Sequence, residues 1–162
     1  NVEGRDVVNE AYTEIVAITL NTIIMSTLLN KTYDEYFNVE LKYSLFQMAK
    51  IIEFYKGDNI NDIFKIVIKQ TTSVRSYFIM KTFLLIFYKD ILEFWNNTGF
   101  NLDDTSITTY CELYKTILEK MHTNEYDDEY KNIINTMIQD ISKHKDKTFM
   151  YTTMRMSAID II

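Results

Sequence analysis

Glu119 and His122 stand three residues apart in the run Glu119-Lys120-Met121-His122, a spacing that puts both side chains on one face of a helix. A carboxylate and an imidazole in that register make half of a di-iron bundle site, in which each iron takes bridging carboxylates and one imidazole. Such a centre needs a second Glu-x-x-His and a further glutamate from each of two other helices. The other histidine, His144, has Ile141 three residues before it, so the second motif is missing. Glu119 and His122 therefore read as solvated residues near a helix end. Asp140 and His144, one turn apart, read as a surface pair at a helix C-terminus, where the dipole favours a cation.

Nucleophilic and acid–base chemistry find as little support. Cys111 is the sole cysteine and has Glu112 beside it. No cationic neighbour lowers its thiol pKa, so it reads as buried helical core. Glu10 and Glu14 lie one turn apart, but no second functional group is placed to act with them, and a charged helix face is the plain account. With only three glycines, Gly4, Gly57 and Gly99, neither a phosphate-cradling loop nor a dinucleotide fingerprint can be written. One cysteine and two histidines cannot supply a structural zinc set. The expectation is a protein that is not an enzyme and carries no cofactor or metal.

The chain of 162 residues has a formal net charge of −6 and scattered basic residues. Phosphate contacts need clustered Lys and Arg, so a nucleic-acid partner is not expected. The densest basic set, Lys143-His144-Lys145 with Lys147, is cut by Asp146 and reads as a solvated helix end. A lone cysteine gives no disulfide framework, which sets a reducing, cytoplasmic compartment as the expectation. No basic segment precedes an apolar run near Asn1, so no signal peptide is read there. Proline is absent and alanine scarce, while Ile, Asn, Lys and Tyr abound. That bias points to an AT-rich genome, and a virus-encoded origin is one of the sources it fits. Two N-x-T sequons, at Asn30 and Asn96, fall in expected loops, where chance matches are common in such a composition.

The elements that must position any site are helical. Val7, Ala11, Ile15, Ile18, Thr22, Met25 and Leu29 step by three and four, predicting a helix from about Asp6 to Leu29. A second is expected after Asn38 as N-cap, with Glu40 in its first turn, along Leu41, Leu45, Met48, Ile52 and Tyr55. Gly57 is expected to stop it in the left-handed conformation. A short third helix, capped by Asn61, carries Ile63, Phe64, Val67 and Ile68 on one face, with a strand as the alternative there. The fourth, about 73–96, holds the run Tyr77–Tyr88, which is apolar nearly all round. A helix apolar on every side is enclosed or in a membrane. Spanning a bilayer takes about 20 apolar residues, more than this run supplies, so enclosure is the reading and no membrane span is expected. A fifth helix follows Asp103-Asp104 (Ile107, Tyr110, Tyr114, Ile117, Met121), and a sixth follows Asp127-Asp128-Glu129. The sixth carries the stripe Tyr130, Ile133, Met137 and Ile141, widened by Ile134 and Ile138. The tail 148–162, with Phe149, Met150, Met154 and Ile159, could dock as a seventh. With no linker or repeat, the fold class is all-α: one domain, 1–162, a bundle of six to seven helices around a central hydrophobic helix.

A buried hydrophobic helix wrapped by amphipathic ones is also the plan of Bcl-2-type domains. The segment Asn59-Ile60-Asn61-Asp62-Ile63, followed by Thr72-Ser73-Val74-Arg75 opening the central helix, resembles the stretch leading into the central helix of virus-encoded members. The resemblance covers about a quarter of the chain. It departs in lacking the Asn-Trp-Gly-Arg signature and in having three helices, not four, before the central one. It implies a groove that takes a partner's amphipathic helix, in a regulator of apoptosis or host signalling.

Function is thus expected in binding. The leading expectation is a helical protein–protein interaction module whose partner is a protein, an amphipathic helix among the candidates. A structural or assembly component of a virus or phage particle, built as a homo-oligomer, is the other. Large apolar groups near helix ends or loops are the candidate interface residues: Tyr55, Phe64, Trp95, Phe100 and Met154.

Overall fold

The computed structural model describes residues 8–68, 73–100, 103–144, 153, 154 and 158. Every regular element among them is helical. The order is α1 (Val8–Leu28), α2 (Tyr33–Phe54), a 3-10 turn (Ile60–Phe64), a π-helical stretch (Arg75–Met80), α3 (Lys81–Ile86), α4 (Tyr88–Thr98), α5 (Ser106–Thr123) and α6 (Asp128–Lys143). The expected seventh helix at 148–162 lies outside the described residues, apart from Thr153, Met154 and Ala158.

The centre is the π stretch and α3, with α1, α2 and α5 packed against them. All eight residues from Phe78 to Leu85 are buried, Lys81 and Thr82 included. This is the enclosure expected of the apolar run, but the helix that carries it is not uniform. Its first part is π-helical, with the Lys81 amide donating to the Ser76 carbonyl five residues back. No side chain caps its start at Val74. It then breaks at Phe87 (φ −98°, ψ 35°), and α4 restarts at Tyr88. Neither glycine nor proline marks that break.

α2 starts five residues before the expected Asn38 cap. Thr32 is the N-cap: its Oγ1 accepts from the Glu35 amide at 3.2 Å, while Glu35 Oε2 accepts from the Thr32 amide at 2.8 Å. This reciprocal capping box satisfies two otherwise orphaned donors. Asn38 then lies within the helix, and Glu40 is buried inside it. At the other end, the Lys56 amide donates to Glu53 O at 2.8 Å and the Gly57 amide to Ile52 O at 2.9 Å, the pair of bonds that defines a Schellman motif. Lys56, not Gly57, takes the left-handed conformation (φ 63°). Gly57 is needed for space, because a Cβ there would stand 2.7 Å from Ile52 Cγ2.

The third element is a 3-10 turn capped by Asn59, whose side chain accepts from the Asn61 amide at 3.0 Å. Val67, expected on its apolar face, is 80% exposed. α5 opens on Asp103, whose Oδ1 accepts from the Ser106 and Thr105 amides at 2.7 and 3.0 Å. These bonds hold the Asp103 carboxyl below its ordinary pKa. α6 opens on Asp127, which accepts from the Glu129 amide at 2.8 Å. It packs along α2 and buries Ile134, Ile138 and Ile141, so the residues expected to widen its stripe form its core. Cys111 is half-buried, not core. The His144 ring nitrogen Nδ1 lies 2.9 Å from the Asp140 carbonyl oxygen, a main-chain contact rather than the carboxylate pairing expected. The Asn96 sequon sits in the last turn of α4 and not in a loop.

α1 is the exception to clean amphipathicity. Ala11, Ile15, Ile18 and Thr22 face the core, yet Leu20, Ile23, Ile24 and Leu28 are 47–71% exposed on the other side. By length and composition α1 meets the requirement for a membrane span, with a mean hydropathy of 1.3 and 39% of its apolar window buried in this fold. Its Tyr12 ties it into the bundle: the hydroxyl donates to Phe100 O at 2.6 Å and accepts from Trp95 Nε1 at 3.0 Å.

Overpacking a tight site costs about 1–3 kcal/mol. Gly57→Ala is expected to lower stability by that amount in urea denaturation, because Ile52 and the Asp62 Cβ at 3.0 Å must give way. A neutral result would mean that the turn joining α2 to the 3-10 element is loosely packed.

Candidate protein-binding cleft

The break at Phe87 turns the chain out of the enclosed centre and leaves a cleft beside it of about 540 Å³. One wall is the start of α2 (Tyr33, Asp34, Phe37). The floor is residues 85–90 with Leu92, and the far wall is Tyr126, Asp127 and Tyr130 from the α5–α6 loop and the first turn of α6. Tyr33 and Phe37 reach it together because they are four residues apart in the first turns of α2. Their rings stack at 5.8 Å, and the Phe37 ring lies 4.3 Å from that of Tyr88.

A chain of hydroxyls fixes this wall. Tyr33 OH and Tyr88 OH are 2.5 Å apart, Tyr88 OH is 2.9 Å from Thr19 Oγ1, and Thr19 donates to Ile15 O at 2.8 Å. Three helices, α1, α2 and α4, are thereby tied at one point. Burial, then the bond to Tyr88, pushes the Tyr33 phenol far above its ordinary pKa, so it stays protonated. Burial, and secondarily Asp128, also raises the Tyr126 phenol. The Tyr126 hydroxyl is buried with no hydrogen-bond partner among the described residues. Burial, followed by Asp127 and Glu129, raises Tyr130 likewise.

The rim is acidic. Asp34, Asp90 and Asp127 border the cleft, with Lys89 the one cation among the described residues of its lining. Lys120 bridges to Asp90 at 2.8 Å and lies 5.2 Å from the Phe87 ring centroid, which pins the α4–α5 side. Leu92 is 42% exposed at the edge. The arrangement offers aromatic and aliphatic surface within a negative border. It provides no nucleophile–base pair, and no group of three His, Cys, Asp or Glu suited to a metal ion occurs among the described residues. Glu119 and His122 are both exposed, with the His122 ring 5.1 Å from Phe64.

None of the five candidate interface residues lines this cleft. Trp95 is in the core, 6% exposed, and its ring neighbours include Tyr12 and Tyr88. Phe100 is 51% exposed and lies 4.7 Å from Trp95, so these two come together at the end of α4. Phe64 packs on Phe83 at 6.0 Å. Tyr55 borders a polar depression with Lys56, Asp58, Asp62 and Lys65. Met154 is 39% exposed. An α2 that starts after Asn38 places Tyr33 and Phe37 in a loop, and the Thr32-x-x-Glu35 box is the sequence signal that puts both on the helix.

No family model, curated protein or solved structure is detectably similar to this chain.

Tyr88→Phe removes the middle hydroxyl of the Thr19–Tyr88–Tyr33 chain. An uncompensated buried polar group costs about 1–3 kcal/mol, so a stability loss of that size is expected in urea denaturation. A wild-type midpoint would show that this chain holds nothing in place.

Proposed function

We propose that this chain is a non-enzymatic protein–protein interaction module that takes an amphipathic helix of a partner into the cleft at the α3–α4 break. The observation that carries this reading is an open aromatic cleft directly beside the enclosed central segment, with its α2 wall tied through Tyr33 and Tyr88 to α4 and α1. Helix-in-groove recognition needs an apolar trough that anchors side chains at helical spacing, together with polar edges that set orientation. The acidic rim and the net charge of −6 favour a partner helix with Lys or Arg on its polar face. The resemblance of residues 59–63 and 72–75 to virus-encoded Bcl-2-type domains points the same way. The finer reading, a regulator of apoptosis or host signalling, rests on that stretch, of which Thr72 lies outside the described residues.

Titration of labelled helical peptides, BH3-like ones among them, with basic or acidic polar faces tests this. Basic amphipathic peptides are expected to bind in the micromolar range and to weaken with added salt. Leu92→Glu is expected to weaken them at least tenfold, since it places a charge on the apolar edge. No binding across the panel, or binding indifferent to Leu92, sinks the reading.

The outward face of α1 favours a second reading, assembly with another copy of this chain. Residues 15–30 contain no charged residue and are bounded by Glu14 and Lys31. An antiparallel second copy would lay two neutral stripes together. Sedimentation velocity is expected to show a concentration-dependent dimer that Leu28→Lys abolishes. A monomer at all concentrations removes this reading and leaves the first untouched.

A further inference from the structure

The least ordinary buried groups lie on α2, away from the cleft. Glu40 is 1% exposed, Gln47 2% and Lys50 6%. Carboxylates and ammonium groups are almost never this buried unless paired. Their partners here include the main chain of the C-terminal segment. Glu40 Oε2 accepts from the Ala158 amide at 3.1 Å, and Lys50 Nζ donates to the Thr153 carbonyl. Gln47 Oε1 accepts from Lys50 Nζ at 3.1 Å, which orients the ammonium. Burial pushes Lys50 down to about 8, so it remains a cation at neutral pH.

An anion meets an amide and a cation meets a carbonyl, so both buried charges are answered by main-chain groups, at Ala158 and Thr153. A small residue is seated at 158, where Ala is 6% exposed. Charge-assisted bonds to main-chain groups are about twice as strong as neutral ones and indifferent to the side chains the segment carries.

We propose that Glu40, Gln47 and Lys50 form a main-chain-reading peptide site on α2. The chain fills this site with its own Thr153 and Ala158, and it accepts the same segment from another molecule once its own is expelled. The occupant is a peptide with a small residue at the Glu40 end. The site is separate from the cleft and does not depend on the helix-binding reading.

The test uses the full chain carrying Ala158→Trp, which overfills the Ala158 seat, and a fluorescent peptide of residues 150–162. The peptide is expected to bind this variant at least tenfold more tightly than the unaltered chain. Adding Glu40→Gln and Lys50→Met should return affinity to the unaltered level. Equal binding to both chains, or none to a variant whose helical circular dichroism is intact, overturns the proposal. Should Ala158→Trp fail to fold, amide exchange decides. In the chain carrying Glu40→Gln alone, the Ala158 amide is expected to exchange at least threefold faster while Leu84 is unchanged. An unaltered Ala158 rate overturns the proposal equally.

Discussion

Enclosure of Phe78–Leu85 is the constraint on which this fold is built. Eight consecutive buried residues leave a helix no solvent face, so neighbours must stand on every side. Each large apolar side chain in the run contributes roughly 1.5–3 kcal/mol by leaving water. Two polar residues sit in the middle. Thr82 Oγ1 donates to Phe78 O at 2.6 Å and reaches Ser44 O on α2 at 3.3 Å. Lys81 Nζ lies 5.8 Å from the Phe78 ring centroid. Thr82 therefore fastens the central segment to itself and to α2 without opening the core.

The same constraint explains why the cleft lies where it does. The run of continuous burial ends at Leu85, and the backbone leaves helical geometry two residues later, at Phe87. There the chain changes direction and presents Tyr88 to α1 and α2 in place of another wholly buried turn. The hydroxyl chain through Thr19 and Tyr33 then sets the wall at a fixed position. A cleft held by three helices loses little conformational freedom when it is filled, which favours binding over a flexible surface of equal area.

Much of this was legible in residue spacing. The core face of α1 and the stripe of α5 follow directly from apolar steps of three and four, and the acidic starts of α5 and α6 cap their helices as electrostatics requires. The start of α2 was equally legible in Thr32 and Glu35, and was missed only because Asn38 is also a good cap. Other features leave no local trace. The π stretch and the break at Phe87 involve ordinary helix-compatible residues, so tertiary packing decides them. Glu40 and Lys50 look solvent-facing by type. Their burial depends on a segment more than a hundred residues away, which no window of periodicity can contain. Trp95 was sought at an interface because aromatics concentrate there, but an indole with a hydrogen-bond partner serves a core just as well.

Charge separates the two surfaces that remain open. The chain carries 23 acidic and 17 basic residues, yet none falls between Ile15 and Asn30. The outer face of α1 therefore neither attracts nor repels by charge. Only apolar burial acts there, and an identical acidic molecule can approach it without placing like charges in contact. The cleft is bordered by Asp34, Asp90 and Asp127, with Lys89 beside them and Lys120 paired to Asp90, so charge does act at its edge. Mismatched charge at an interface costs several kcal/mol, enough to sort partners before shape is tested. The neutral outer face of α1 and the charged edge of the cleft are thus two surfaces of different physical character on one bundle.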